Sequence, residues 1–513
     1  MSKKSGIFAG IDFGNSNSCI AIYKYEKVEV LAGADGSRIT PSYVYIGENG
    51  EKHVGKSAKN YGHKKPERLF YDIKRLFAAK TSDQICKKYK NQWTFDIKRD
   101  TETGYCNYNI DGKIYTPEEI SSEVLKKLLS YVGEDVAGVV LTVPAFFSTE
   151  QKNKILEAAE MAGITVLQLI CEPTAAAIAY GMEHSYTNGE VLFVFDIGDE
   201  SFDISIIKVV NNTNFEVIVL GGDSHLGGRD FDGVIIDWML KKLEEKVGKN
   251  NLKKLTPIKK FLMTEMAKEA IVVLNNNESA TLQLSEVHSD ASDVTLTRTE
   301  FEELSKGLVL QIKESIVQIL KCRALNQQEI NHVLLIGGSS KIPIITKLLK
   351  EFFDEAKFSK SCNAEELVAM GATRLAAKLG KQSTRSDITD LVYKDKISLN
   401  VGIEYADKNG ESMFKTIFKK DTPYNQEQVI EMKTTQDNQK ECEIALYEGL
   451  YDELEKNTHI GSLKLINLPP KKAGEYSVDV ILTIDKNGIL EVKTNDLNCA
   501  VQYKTQLLQK RKT

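Results

Sequence analysis

Two aspartates in matching surroundings carry most of the chemistry in this sequence. Asp12 closes the apolar run Gly6-Ile-Phe-Ala-Gly-Ile and opens Phe13-Gly14-Asn15-Ser16-Asn17. Asp196 closes Val191-Leu-Phe-Val-Phe and opens Ile197-Gly198-Asp199-Glu200-Ser201. Each copy reads as strand, Asp-x-Gly, polar turn and returning strand. Glycine lets backbone N–H groups approach a phosphate chain, and a carboxylate at the turn holds Mg²⁺ through its waters. One such hairpin is usually an ordinary turn; two at the heads of similar halves can grip a polyphosphate between them.

Two further charged residues stand out. Glu172 lies where a strand at 165–170 ends and a helix with Pro173 in its first turn begins, a position that often carries function in open α/β sheets; its simpler use is as a capping acid. Lys74 lies in Asp72-Ile73-Lys74-Arg75, within a stretch at 55–90 whose basic and aromatic residues follow a helical pattern, where a solvated helix lysine is an equal reading.

The elements that must position these residues form two βαβ-rich halves. In the first, short strands at 6–46 are followed by a helix opened by Thr116-Pro117-Glu118-Glu119. A buried strand at 139–143 then leads into the capping box Ser148-Thr-Glu-Gln151, and the helix at 173–180 ends at Gly181 in a C′ position. In the second, Gly227-Gly228 opens a helix with Phe231, Ile235 and Met239 on one face. The buried strand at 332–336 runs into Gly337-Gly338-Ser339-Ser340-Lys341 and a helix begun by Pro343, and a last helix lies near Glu365 and 371–379. Composition changes after Gly380: 381–387 is polar, Asp390 opens a possible hinge, and from 397 onward short strands alternate with turns. The final Lys510-Arg511-Lys512 reads as a solvated terminus.

Bulk properties narrow the function classes. The 513 residues suffice for about three or four domains. A net charge of −5 gives no chain-wide electrostatic case for nucleic acid or an anionic membrane. The Met-Ser-Lys-Lys-Ser start lacks an apolar signal region, no run reaches membrane-span length, and no retention or prenylation motif follows Lys512-Thr513. The eight cysteines are scattered without Cys-x-x-Cys, which suits reduced thiols in a cytoplasmic protein.

In this order the motifs resemble the Hsp70 chaperone family over nearly the whole chain. The resemblance is carried by Ile11-Asp12-Phe13-Gly14, Asp72-Ile73-Lys74-Arg75, Val143-Pro144-Ala and Glu172-Pro-Thr-Ala-Ala-Ala-Ile-Ala-Tyr-Gly. It continues through Gly222-Asp-Ser-His-Leu-Gly-Gly-Arg-Asp-Phe-Asp and Gly337-Gly-Ser-Ser-Lys-Ile-Pro. It implies an α/β fold: a duplicated actin-like (ribonuclease H-like) ATPase domain at 1–380, a linker at 381–396, and a small antiparallel β-sandwich, substrate-binding-like domain at 397–513. ATP or ADP and Mg²⁺ are the implied ligands. Asp12, Lys74, Glu172, Asp196 and Asp203 match the family's metal and catalytic positions, with Asp12, Glu172 and Asp196 holding the metal through water. Nucleotide contacts are implied for Gly14, Asn15, Ser16, Asn17, Lys74, Gly198, Asp199, Glu200, Ser201, Gly227, Gly228, Lys268, Ile271, Val272, Asn275, Gly337, Gly338, Ser339, Lys341 and Glu365.

The departures from the family pattern are as informative. The chain stops where a helical lid would begin. Asp199, Glu200 and Ser201 replace the usual Gly-Gly-Thr, and Asn15-Ser16 replaces a threonine pair. The basic pair that clamps adenosine falls on Ile271-Val272, and the acid before it on Lys268. The leucine-rich linker becomes Leu391-Val-Tyr-Lys394; the peptide cleft's central position falls on Cys442 and its arch on Ala406 and Thr435. A carboxylate about 4 Å from a phosphate oxygen costs about 4 kcal/mol per charge pair at an effective dielectric near 20. Each lost basic clamp removes about 1.5–3 kcal/mol.

The lidless, eroded pattern is similar to the atypical Hsp70 subunit of the ribosome-associated complex. That implies a zuotin-like J-protein partner, ribosomes and nascent chains, ATP binding with weak or absent turnover, and no direct nucleic-acid or membrane binding. A divergent but active peptide-binding Hsp70 ATPase is the alternative. Actin-fold sugar kinases share the hairpin grammar but not the C-terminal β domain.

Overall fold

The computed structural model describes residues 6–80, 82–89, 92–181, 184–252, 255–322, 325–359, 363–406, 411–494 and 500–503. The start at 1–5 and the basic tail at 510–512 lie outside the described residues. The chain divides into two compact units, one of Met1–Pro144 with Lys154–Val392 and one of Ala145–Asn153 with Tyr393–Thr513.

In the first unit, the apolar run before Asp12 forms β1 (Ile7–Phe13), which turns back into β2 (Asn17–Lys24) and β3 (Lys27–Val30). The stretch at 55–90 departs from the expected helical pattern. It holds α1 (Lys56–Gly62), two 3₁₀ turns at Pro66–Arg68 and Lys74–Leu76, and α2 (Gln84–Tyr89). Two features break it: Pro66, which has no N–H to continue a helix, and Asp72, which takes φ 55°. A separate three-stranded sheet has β4 (Cys106–Ile110) as its middle strand. The capping box expected at Ser148 forms and opens α4 (Thr149–Met161). The helix expected after Thr116 is α3 (Pro117–Leu129), and the structure adds a second capping box there, between Thr116 and Glu119; β5 (Val136–Val143) lies between the two helices. Next come β6 (Val166–Cys171) and α5 (Glu172–Tyr180). Glu172 is the first residue of α5 rather than just outside it. Gly181 ends α5 at φ −63°, so the expected left-handed C′ geometry is not used.

The second half repeats the pattern with β7 (Val191–Ile197), β8 (Phe202–Asn211), β9 (Asn214–Asp223), α6 (Gly228–Val247), α7 (Pro257–Asn276), β10 (His332–Ile336), α8 (Pro343–Lys350) and α9 (Leu367–Leu379). The two sheets run β6-β5-β1-β2-β3 and β10-β7-β8-β9. In both, the strand ending at the key aspartate has one parallel neighbour, β5 or β10, and one antiparallel neighbour, β2 or β8. Asp12 and Asp196 therefore sit at equivalent strand ends. Between the halves α5 and α9 cross in backbone contact: a Cβ on Gly371 would lie 1.8 Å from the Ala175 carbonyl oxygen. This crossing holds Glu172, at the start of α5, and Glu365, just before α9, at the same mouth. Phe193, Phe195, Phe202, Phe231, Ile235 and Met263 fill the core of the second half.

The second unit carries β11 (Asn400–Ala406), β12 (Ser412–Phe418), β13 (Gln426–Lys433), β14 (Glu441–Gly449), β15 (Thr458–Ile466), β16 (Ser477–Ile484), β17 (Leu490–Thr494) and β18 (Ala500–Tyr503). They form sheets β12-β11-β14-β15-β18 and β13-β16-β17. Alternating residues such as Val401, Ile403, Ile444, Leu446, Leu463, Leu465, Val480 and Leu482 supply its core. β11 starts at Asn400, later than the expected 397, because the Ile397 N–H is turned to the Thr422 carbonyl. Among the described residues beyond 400 there is no α-helix. Among all described residues no helix is long and apolar enough to cross a membrane.

Candidate nucleotide site

The two hairpins meet across one small cavity, about 110 Å³, lined by Asp12, Gly14, Asn15, Ser16, Asn17, Lys74, Glu172, Asp196, Gly198, Asp199, Glu200, Ser201, Gly337, Gly338 and Glu365. Lys74 is no solvated helix lysine: it is 2% exposed, in a 3₁₀ turn. Its Nζ donates to the Phe13 carbonyl at 2.8 Å and to Glu172 Oε1 at 3.1 Å. Burial alone lowers a lysine's pKa; here Glu172, Glu200 and Asp12 outweigh it and hold Lys74 charged.

The carboxylates outnumber that ammonium. Burial, then the Glu172 charge, pushes Asp12 up to about 7, although the Thr142 hydroxyl donates to it at 3.1 Å. Burial, with Glu172, Asp203 and Asp12 nearby, also raises Asp196 well above the carboxylate range. Asp203 sits directly opposite Asp196 in the β7–β8 register and is buried, but it lies outside the cavity lining. Among the described residues no three His, Cys, Asp or Glu side chains are placed to hold a metal ion directly.

The two turns differ in their support. Asn15 ties the first to the lysine motif, accepting from the Lys74 N–H at 3.1 Å and donating to Asp72 at 3.4 Å. The second rests on Gly227-Gly228: Gly228 N–H donates to the Gly198 carbonyl at 2.8 Å, and a Cβ on Gly227 would lie 2.6 Å from Asp199. Gly227 therefore supports the turn from outside the cavity. Ser16 Oγ donates to Asp199 Oδ2, joining the turns. Glu200 is buried and faces Arg75 and Lys74; burial still pushes it up to about 7. Gly337 takes φ +78°, and a Cβ there would lie 2.3 Å from the Ile197 carbonyl oxygen, so this turn needs glycine.

A second cavity, about 500 Å³, shares Ser16, Asn17, Asp199, Gly338 and Glu365 with the first and adds Gly228, Lys268, Ile271, Val272, Asn275, Ser339 and Lys341. Lys268 Nζ donates to the Tyr43 hydroxyl at 2.9 Å, and Lys341 pairs with Glu365 at 3.2 Å. The Ile271-Val272 pair divides: Ile271 packs half-buried against the core, while Val272 is 62% exposed. The sequence reading missed Arg75, whose Nη2 donates to the Asp199 carbonyl at 3.0 Å and the Glu200 carbonyl at 3.4 Å. Its place beside Lys74 in one motif was the available signal. Tyr43 and Asp232, which also line the larger cavity, gave none beyond the Arg-Asp-Phe-Asp run.

A family model described as Hsp70 protein matches residues 8–512. The chain belongs to the Hsp70 family. It carries an Hsp70-type actin-like ATPase domain and a β-sandwich region, and with them the family's general ATP-binding chaperone activity. ATP or ADP with Mg²⁺ is the ligand set typical of an Hsp70.

Proposed function

We propose that this Hsp70 binds Mg-ATP mainly as a structural ligand, hydrolyses it slowly, and works as a co-chaperone. In this reading it supports nascent-chain folding at the ribosome with a zuotin-like J-protein, in the cytoplasm. The observation that carries the proposal is the second turn, where Asp199 and the buried Glu200 face the cavity.

The donor set suits a nucleotide in two of its three parts. The larger cavity, with Ile271 and Val272 on its wall, suits an apolar nucleoside face, and Asn275, Ser339 and Lys341 supply polar partners. The cluster of Asp12, Glu172 and Asp196, short of positive charge, suits a hydrated divalent cation held by carboxylates through water. The third part, the turn meant for the terminal phosphate, offers carboxylates where close backbone N–H approach is needed. Bound Mg²⁺ would neutralise phosphate charge; this chain's own part is to orient the phosphates with Gly14 and Gly337-Gly338 and to place Lys74 near the transferred group. Glu200 competes for Lys74 and Arg75 and so weakens that stabilisation.

Single-turnover hydrolysis with and without a J-protein, beside calorimetric ATP titration, tests this reading. The expected result is binding, with turnover far below a working chaperone and little J-protein response. Robust J-stimulated turnover abolished by Lys74→Ala would establish the divergent active chaperone instead, a reading favoured by the buried Lys74–Glu172 pair. A stoichiometric J-protein complex that survives gel filtration without nucleotide, with ribosomes co-purifying, is expected from cytosol; a purely monomeric chain there would count against the partner assignment.

A further inference from the structure

Cys86 and Cys106 are far apart in sequence, yet α2 and β4 bring their Sγ atoms to 3.1 Å, inside the ordinary contact distance of two unbonded sulfurs. Both side chains are buried, at 2% and 0% exposure, and both are free thiols. Their surroundings differ in rigidity. Cys106 is in the middle strand of a three-stranded sheet, with its N–H bonded to the Ala79 carbonyl at 2.8 Å. Cys86 is in a six-residue helix, a length marginal on its own and stabilised by tertiary contacts.

We propose that Cys86 and Cys106 are a disulfide-forming site, oxidised by hydrogen peroxide, and that the bond clamps α2 against β4. The Cys86 thiolate attacks one peroxide oxygen and the O–O bond breaks, leaving a sulfenic acid and hydroxide. Cys106 gives its proton to that hydroxide, and its sulfur attacks Cys86. The S–O bond breaks and the second hydroxide leaves as water after taking a proton. Two thiols and one peroxide thus give one disulfide and two waters. The asymmetry suits these roles. The hydrogen bond between the two thiols lowers the Cys86 thiol against the opposing effect of burial, while that bond and burial raise Cys106. Local opening of the short helix α2 gives the oxidant access.

The clamp reaches the nucleotide site through α2. One turn after Cys86, Tyr89 OH donates to Asp230 Oδ1 at 2.7 Å, and Lys88 pairs with the same carboxylate. Asp230 accepts the Gly227 N–H at 2.8 Å, beneath the second turn. The Tyr89 ring also lies 4.3 Å from the Arg75 guanidinium that holds the Asp199 and Glu200 carbonyls. Fixing α2 therefore fixes the support of residues 198–201. The disulfide itself does not depend on the nucleotide reading; only the meaning of this coupling rests on it.

The test treats the full chain with hydrogen peroxide, alkylates the remaining thiols and digests without reduction. Mass spectrometry should find the peptides containing Cys86 and Cys106 joined, two hydrogens lighter than their sum. The link should be absent in Cys86→Ser and Cys106→Ser and reversed by dithiothreitol. Full alkylation of both thiols on denaturation after oxidation, or Cys86 carried to sulfinic acid without a link to Cys106, would overturn the site. Amide exchange on the wild-type chain adds an independent readout: at least tenfold slowing is expected at 84–89 and at 198–201 in the oxidised form. Slowing confined to 84–106 would overturn the coupling and leave the disulfide standing. A chain that forms the link but fails to bind ATP would refute the nucleotide reading alone.

Discussion

The two hairpins are the same piece of backbone used twice. β1–β2 and β7–β8 share strand neighbours, register direction and an aspartate at the strand end, yet their turns have diverged in charge. The first keeps neutral Asn15 and Ser16, and Asn15 is drawn into the lysine motif. The second carries Asp199 and Glu200, and the chain accommodates them by directing Arg75 and Lys74 at the turn. The strand pairing that defines the fold is indifferent to this change; the chemistry performed at the turn is not.

The comparison breaks most severely at Lys74, a cation that both hairpins share. Replacing Lys74 by Met leaves Asp12, Glu172, Asp196 and Glu200 without their buried ammonium. By analogy with other broken buried pairs the cost is about 3–5 kcal/mol. Urea unfolding of the nucleotide-free chain should show that loss, and calorimetry should show ATP binding gone. A variant as stable as the parent would mean that the carboxylates simply take up protons.

Making the second turn resemble the family's sharpens the comparison. Asp199→Gly with Glu200→Gly removes two carboxyl groups and restores close backbone approach. Removing even part of a penalty of about 4 kcal/mol per charge pair should tighten Mg-ATP at least tenfold and raise J-stimulated turnover. Unchanged affinity would place both side chains away from the phosphates.

The same residues set a pH dependence. Glu200 and Asp232 have folded-state values of about 7, above their ordinary 4.5 and 3.8, because burial disfavours their charged forms. Each is protonated more readily in the folded chain. The stability each contributes is complete below its ordinary value and is lost as pH rises through about 7. A single group changes the slope by up to about 1.4 kcal/mol per pH unit. Between pH 5 and 7, Glu200→Gln should therefore flatten the stability profile of the nucleotide-free chain relative to the parent. An identical slope would show that Glu200 is ionised throughout.

How much of this was legible in the sequence follows from how local each signal is. The hairpins, the Ser148 capping box and the Gly337 turn were readable because turn chemistry and hydrophobic alternation act over a few residues. The burial of Lys74 was not, because a helical pattern at 55–90 gives no hint of the reversal at Asp72. Nor was the role of Arg75 or the pairing of Cys86 with Cys106, since both depend on segments brought together by tertiary packing. Ile271 and Val272 were readable as a pair only by position, and packing then divided them.

The β domain offers a coarser contrast with the nucleotide site. Cys442 is half-buried at the position expected for the cleft's central pocket, and Ala406 and Thr435 are exposed. With so little side chain at the arch, model hydrophobic peptides should bind weakly and without response to ATP. Tight binding that loosens when ATP is added would contradict the structural-ligand reading.

The finest test concerns the bond between the two turns. Ser16 Oγ donates to Asp199 Oδ2, so the neutral turn partly satisfies the acid of the charged one. Ser16→Ala removes that donor and leaves a half-buried carboxylate that water can still solvate, so the cost should stay near 0.5–1.5 kcal/mol, about the net value of one hydrogen bond. The sign of its effect on nucleotide is the more telling quantity. If Asp199 is held aside by Ser16, its release toward the phosphates should weaken Mg-ATP severalfold, and Asp199→Gly should abolish the effect of the serine change. If Ser16 only cross-links the turns, the two substitutions should add. A double-mutant cycle read by calorimetry separates these outcomes, because a shared partner shows up as non-additivity.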